Sequence, residues 1–156
     1  MPGLDPRREI VHLEEGGVSR IFDRTVAAKD LVVEIGIGRG EFLAELAQRS
    51  PKRSFLGVEL CFRRVVRMAR RLSVAGVDNI RLIQARGEDV MPRLSERSVD
   101  ELWINFPDPW PKRRHHGRRL VQAALIAQVA RVLRPGGVLH VATDDPAYAG
   151  HIHRVL

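Results

Sequence analysis

The sequence predicts an α/β fold: an open, mostly parallel sheet of about five strands with helices on both faces. Three observations predict it. Short apolar runs alternate with longer amphipathic ones along the chain. No repeat, low-complexity run or linker interrupts that pattern. A glycine-rich turn joins the first strong run to a helical pattern, at Gly36, Gly38 and Gly40. Ligands of such sheets bind at the carboxyl ends of the strands, so the loops there are the places to search.

Each element has its own justification. Leu31-Val-Val-Glu-Ile35 reads as a buried strand, and Gly40 to Arg49 as a helix that stops before Pro51. Phe55-Leu-Gly-Val-Glu59 is the second strand. Arg63 to Ala75 is a helix closed by Gly76. Ile80-Arg-Leu-Ile83 is the third strand, followed by a short helix over Glu88 to Leu94. Val99 to Ile104 is the fourth strand. Leu120, Val121, Ala124, Leu125, Val129 and Leu133 recur at helical spacing, which predicts a long helix from Arg118 to Leu133. Pro135-Gly-Gly137 predicts a turn, Val138 to Ala142 the fifth strand, and a last helix starts near Pro146.

Composition bounds the classes. The 156 residues are 44% apolar, enough for one domain with a core of its own. No apolar stretch is long enough to span a bilayer, and the N-terminus Met1-Pro-Gly-Leu-Asp-Pro lacks the apolar centre of a secretory signal. Cys61 is the single cysteine, so no intrachain disulfide forms. The expected location is the cytoplasm, with no membrane partner. Lys plus Arg number 26 against 19 Asp plus Glu, a net charge of +7. All the cations but Lys29, Lys52 and Lys112 are Arg. Arg suits bidentate phosphate contacts, although Arg-favouring codons would give the same bias.

The loop Val33-Glu34-Ile35-Gly36-Ile37-Gly38-Arg39-Gly40 carries the first chemistry. Its glycines permit a tight turn and close approach of a ligand. Their spacing departs from the dinucleotide fingerprint, and Glu34 is a poor neighbour for a pyrophosphate but a good one for an ammonium or sulfonium. The E-x-G-x-G-x-G form resembles the S-adenosylmethionine loop of Rossmann-like methyltransferases. Glu59 closes the second strand, placed either to take both hydroxyls of a ribose or to cap the next helix. After the third strand, Arg86-Gly87 stands where many methyltransferases carry an acidic residue against adenine. Glu88 and Asp89 follow it with no place assigned.

The loop after the fourth strand is richer still. Pro107, Pro109 and Pro111 stiffen it and bar a helix there. Trp110 offers a face for base stacking, or an anchor to the core. Asp108 supplies an acceptor. Lys112, Arg113, Arg114, Arg118 and Arg119 supply cations.

Phe106-Pro-Asp-Pro-Trp-Pro-Lys-Arg-Arg-His115 with Arg118-Arg119 resembles the signature of the tRNA (guanine-N7)-methyltransferases. Glu34-Ile-Gly-Ile-Gly38, Gly57-Val-Glu59, Asn79-Ile-Arg81, Leu133-Arg-Pro-Gly-Gly137 and Ala142-Thr-Asp-Asp145 stand in the family's order, from about residue 20 to the end. The resemblance implies a Rossmann-like methyltransferase that uses S-adenosylmethionine and acts on guanine N7 in the tRNA variable loop. It implies cofactor contacts at Glu34, Gly36, Gly38, Glu59, Arg86, Gly87 and Asp108, with Asp108 also catalytic. It implies substrate and tRNA contacts at Lys112, Arg113, Arg114, His115, Arg118, Arg119 and Asp144. The family continues with two more strands and a T-x-x-E motif, whereas this chain stops at Leu156. The expectation is therefore a single domain over 1–156, short at its C-terminus, with the fifth strand as an open edge. That edge offers a surface for a homodimer.

Other readings stay open. A methyltransferase for a small molecule or a protein leaves the basic run after Trp110 unexplained. A non-enzymatic tRNA-binding remnant would hold the cofactor without turnover. An NAD enzyme is disfavoured by the glycine spacing and Glu34. His115-His116 and His151-Ile-His153 lack metal-site spacing, so no metal is expected. Arg63, Arg67, Arg70 and Arg71 share one helix face, either solvated or RNA-facing.

Overall fold

The computed structural model describes residues 10–11 and 30–156. The first residues, searched above for a secretory signal, and residues 20–29 of the resemblance lie outside the described ones. The strands are β1 (Ile10–Val11), β2 (Leu31–Ile35), β3 (Ser54–Glu59), β4 (Ile80–Gln84), β5 (Val99–Asn105) and β6 (Leu133–Ala142). The helices are α1 (Glu41–Arg49), α2 (Phe62–Ala75), α3 (Gly87–Val90), α4 (Ala123–Val132) and α5 (Pro146–Val155). All strand pairs are parallel, in the order β1-β4-β3-β2-β5-β6. The five expected strands are present. The sixth, β1, is two residues long, too short for a periodic signal.

The chain leaves β2 in two directions, first to β3 and β4, then across to β5 and β6. That reversal opens a crevice at the carboxyl end of β2. Alternation along β2 divides the core. Leu31, Val33 and Ile35 face one side with Leu102, Ile104, Leu125, Val129 and Tyr148. Val32 faces the other with Leu43, Phe55, Met68, Leu72 and Ile80. Helices α1 and α2 thus cover one face, and α4 and α5 the other.

Two expected elements differ. The helix expected over Arg118–Leu133 begins only at Ala123. Arg113–Arg118 form a 3-10 segment instead, and residues 119–122 are not helical. Tertiary partners hold that stretch out of the helix. The Val121 N–H donates to Tyr148 Oη at 3.0 Å, its carbonyl lies 2.8 Å from His151 Nε2, and the Gln122 side chain donates to the His116 carbonyl at 2.9 Å. The turn expected at Pro135–Gly137 lies inside β6 as a bulge. Pairing moves from Leu133 to Val138 while β5 advances only from Val99 to Glu101, and Gly136 takes the left-handed conformation. Strand β6 is the last of the sheet, with no strand beyond it among the described residues.

Gly57, in the middle of β3, lets the glycine loop and α1 sit down on the sheet. A Cβ there would lie 2.9 Å from Leu82 and 3.0 Å from both Ile37 and Leu43. Gly57→Ala should therefore destabilise the fold by about 1–3 kcal/mol, the usual range for overpacking. Urea titration followed by circular dichroism checks it; an unchanged midpoint would show that those three side chains relax freely.

Candidate active site

The glycine loop hangs from its neighbour strand. The N–H groups of Gly36 and Ile37 both donate to the Val58 carbonyl, at 2.7 and 3.3 Å. Gly36, Gly38 and Gly40 all have positive φ, which L side chains adopt only with strain. Gly40 also faces Met68 of α2, where any Cβ would collide with its sulfur.

Glu59 ties this loop to the next helix. It is 5% exposed; its Oε2 accepts from Gly38 N at 3.0 Å and its Oε1 from Cys61 N at 2.8 Å. Arg64 Nη1 lies 3.7 Å from Oε2. Each carboxylate oxygen has two lone pairs, so each can accept once more from a ligand hydroxyl. The helix-cap reading of Glu59 holds in part, because Cys61 is the residue before α2.

Glu34 is the unusual group. It is 2% exposed and shares the face of Val32. Its Oε1 accepts from Asn105 Nδ2 at 3.1 Å, while its Oε2 is buried with no partner among the described residues. Burial pushes its pKa up to about 7, against the lowering effect of the Asn105 bond.

A cleft of about 660 Å³ lies at the carboxyl ends of β2, β3, β4 and β5. Gly36, Glu59, Arg86, Gly87, Asp108 and Arg118 all line it, so it gathers residues from four separate loops. Arg86 is exposed at the start of α3 and Gly87 is buried. A Cβ on Gly87 would come within 2.5 Å of Ile35, so α3 packs against the end of β2. Glu88 also lines the cleft, which puts an acidic group on the wall where Arg86 broke the expected pattern. A second cleft, of about 500 Å³, lies at the amino ends of the strands between Arg97, Arg131 and Arg134. It is lined by none of the candidate cofactor, catalytic or tRNA-contacting residues.

The loop after β5 is bent by two non-glycine residues of positive φ, Phe106 (49°) and Trp110 (45°), which bracket Asp108. Such conformations cost about 1–3 kcal/mol each and persist only where the surroundings impose them. Arg119 imposes this one. It is 3% exposed; its Nε donates to the Pro109 carbonyl at 2.8 Å and its guanidinium lies 4.9 Å from the centre of the buried Tyr148 ring. His116 Nε2 lies 3.2 Å from Arg119 Nη2. Arg119 is thus turned inward, away from the surface expected of a tRNA contact. Its neighbours remain outside. Arg118 is exposed and its guanidinium is 5.1 Å from the Trp110 ring centre, with His115 edge-on to the same ring at 5.8 Å. Trp110 lines the cleft together with Arg118, whereas His115 does not. Lys112, Arg113 and Arg114 are exposed on the rim beyond the cleft, and Asp144 is exposed at the end of β6. Leu60, Arg64 and Asn105 also line the cleft and were not singled out in the sequence. Leu60 and Asn105 each sit at a strand's carboxyl end, the position that marked Glu59.

Among the described residues, no group of three or more His, Cys, Asp or Glu is placed to hold a metal ion, and no helix is long and apolar enough to cross a membrane.

Comparisons with known proteins agree with this architecture. The sequence profile of a family described as "Putative methyltransferase" matches residues 28–156. A tRNA (guanine-N(7)-)-methyltransferase of Nitrosococcus oceani is 41% identical over 140 residues, covering 89% of this chain and 58% of the relative. That of Leifsonia xyli is 46% identical, covering 87% and 59%. That of Nitrosomonas europaea is 37% identical, covering 98% and 68%. The chain spans less than two thirds of the length of the first two. Among solved structures, an rRNA methylase from Streptococcus thermophilus superposes with a TM-score of 0.61 at 20% identity, over 87% of this chain and 76% of that one. An O-methyltransferase from Thermotoga maritima does so with 0.63 at 18% identity, over 88% and 48%. These likenesses speak for a Rossmann-like methyltransferase fold. By its profile match and its relatives, the chain belongs to the family of tRNA (guanine-N7)-methyltransferases.

Proposed function

We propose that the cleft binds S-adenosylmethionine and presents it to N7 of a guanine in the tRNA variable loop. The observation that carries this reading is the meeting of Glu59 and Asp108 in one cleft at the carboxyl edge of the sheet. Family membership and the exposed cations beside Trp110 support the tRNA substrate.

The residues fit the cofactor. Glu59 keeps an acceptor free on each oxygen for the two ribose hydroxyls. Gly36 and Gly38 let it approach the backbone. Glu88, beside Arg86 and Gly87, is the carboxylate nearest in sequence for the adenine amino group. The unpartnered Oε2 of Glu34 suits a nearby cation. When bound, S-adenosylmethionine supplies an electrophilic methyl group on a sulfonium.

Guanine N7 brings a lone pair and no proton, so no residue has to act as a base toward it. A bond forms from N7 to the methyl carbon as the carbon–sulfur bond breaks, with its electron pair left on sulfur. Positive charge passes to the purine. What remains for the protein is positioning and electrostatics. Asp108 is the carboxylate that stabilises this charge and accepts from the guanine N1–H and N2 amino donors. Trp110 stacks on the base, and Lys112, Arg113, Arg114, His115, Arg118 and Asp144 hold the tRNA around it. N7 lies on the major-groove edge, so the base must be exposed or drawn out. Arg119 acts through Pro109, keeping Asp108 in place.

The test is transfer of label from S-adenosylmethionine to unmodified bacterial tRNA, mapped by chemical cleavage at 7-methylguanine. Label on a variable-loop guanine is expected. No label with the cofactor still bound would overturn turnover by this chain. Asp108→Asn should lower kcat by about 100-fold or more. Arg119→Lys should lower kcat with tRNA affinity near wild type, whereas Arg118→Ala should weaken tRNA binding; equal losses of affinity would contradict the inward role of Arg119.

A pH dependence follows from Glu34. Without ligand, its raised pKa makes the protonated form the stable one. That contribution is full below about 4.5 and is lost as pH rises through about 7. A cationic ligand reverses the preference, because it favours the carboxylate. Binding should then release a proton and tighten about tenfold between pH 6 and pH 8. Calorimetry in buffers of different ionisation enthalpy measures both. A Glu34→Gln variant with the same pH profile would contradict the assignment.

A further inference from the structure

We infer that the arginine face of α2 is a second phosphate-binding surface, one that anchors tRNA outside the reacting site; this rests on the tRNA reading above. The helix Phe62–Ala75 carries Arg63, Arg64, Arg67, Arg70 and Arg71 and not one acidic residue. At 100° per residue these five fall on one arc, opposite the buried Val65, Met68, Ala69 and Leu72. Arg64 reaches toward Glu59, and Arg71 toward Glu41 and the Arg39 carbonyl. Arg63, Arg67 and Arg70 are exposed, and none of them forms an ion pair or hydrogen bond among the described residues.

Such an arrangement is poor helix chemistry. Arg63 and Arg64 sit in the first turn, at the positive end of the helix dipole, where anions are favoured. Arg63 and Arg67 repel at i,i+4, as do Arg67 and Arg71, and Arg67 and Arg70 do so at i,i+3. A solvated face usually mixes both signs, as α1 does with its Glu45–Arg49 pair. For Arg63, Arg67 and Arg70 these rules are broken with no compensation among the described residues, which points to a ligand that compensates them. A polyanion does so at every one of these positions.

The place of the stripe selects RNA. It starts at the cleft, since Arg64 lines it together with Arg118 of the basic loop. From there Arg63 to Arg70 run for about 10 Å along the helix, enough for two or three phosphates of one strand. A base held at Asp108 and a backbone crossing α2 belong to one continuous polyanion. The contacts are to phosphates, so they add affinity without reading sequence.

The test compares Arg63→Gln/Arg67→Gln/Arg70→Gln with a control of equal charge change, Arg49→Gln/Arg97→Gln/Arg154→Gln. Binding of whole tRNA is read by fluorescence anisotropy over a range of salt. The stripe variant should bind about tenfold more weakly near 0.1 M salt. Its log K against log salt slope should be shallower by about 2, at roughly 0.7–0.9 per lost phosphate. The control should stay close to wild type. S-adenosylmethionine affinity should be unchanged in both, which shows that both are folded. A stripe variant indistinguishable from the control would overturn the inference and leave α2 a solvated face, as would a wild-type chain that does not bind tRNA. Methyl transfer is read separately. If the stripe dependence holds and no methyl is transferred, the surface stands and the methylation reading falls.

Discussion

Strand β2 pairs with β3 on one side and β5 on the other, and the cleft exists because the chain leaves it in opposite directions. A parallel sheet sends all its loops of one kind to one edge. At a switch point the loops after neighbouring strands diverge and leave space between them. Here the glycine loop after β2 folds toward β3, where Gly36 bonds the Val58 carbonyl. The Phe106–Trp110 loop after β5 folds toward β6, where the Phe106 N–H bonds the Ala142 carbonyl. The side chain of Asn105 reaches back under the gap to Glu34, joining the two central strands below the site. Pairing, not any single side chain, sets the distance between the two loops.

On that scaffold the two walls are stiffened differently. The glycine wall relies on positive-φ glycines and on the two bonds accepted by Glu59. The proline wall carries positive φ at residues with side chains, and the strain is held by Arg119 packed between Pro109 and Tyr148. Tyr148 belongs to α5 and also accepts from Val121, so the last helix braces the loop before it. Asp145 caps that helix by accepting from the Tyr148 N–H. The order of the site therefore depends on α5, although no residue of α5 lines the cleft.

Much of this was legible before the structure. Apolar runs between helical patterns marked the five longer strands, most clearly the fully buried β2 and β3, and Gly76 marked the end of α2 by its left-handed conformation. Glu59 and Asp108 were legible as cleft residues because their motifs close or follow a strand, whereas Glu34, named from the first of these motifs, is buried and does not line the cleft. The rest depended on contacts far apart in sequence. Periodicity alone carried the α4 pattern back to Arg118, but Tyr148 and His151 take the backbone of Val121. Arg119 looked like its exposed neighbours in the basic run, and its contacts with Pro109, His116 and Tyr148 turn it inward. The bulge in β6 was visible as Pro135-Gly-Gly137, but its insertion within a strand depends on the register with β5. Glu88 could be named and not placed, because the short turn of α3 decides which of Glu88 and Asp89 faces the cleft.

The central claim is that one ligand is gripped by both walls at the switch point. Hydrogen exchange followed by mass spectrometry, with and without S-adenosylhomocysteine, tests this directly. Amides of residues 36–40 and 59–61 on one wall and 105–110 on the other should slow together on adding ligand, while those of residues 130–135 at the far end of the sheet stay unchanged. Protection confined to one wall, or centred on the cleft beside Arg131 and Arg134, would contradict the account.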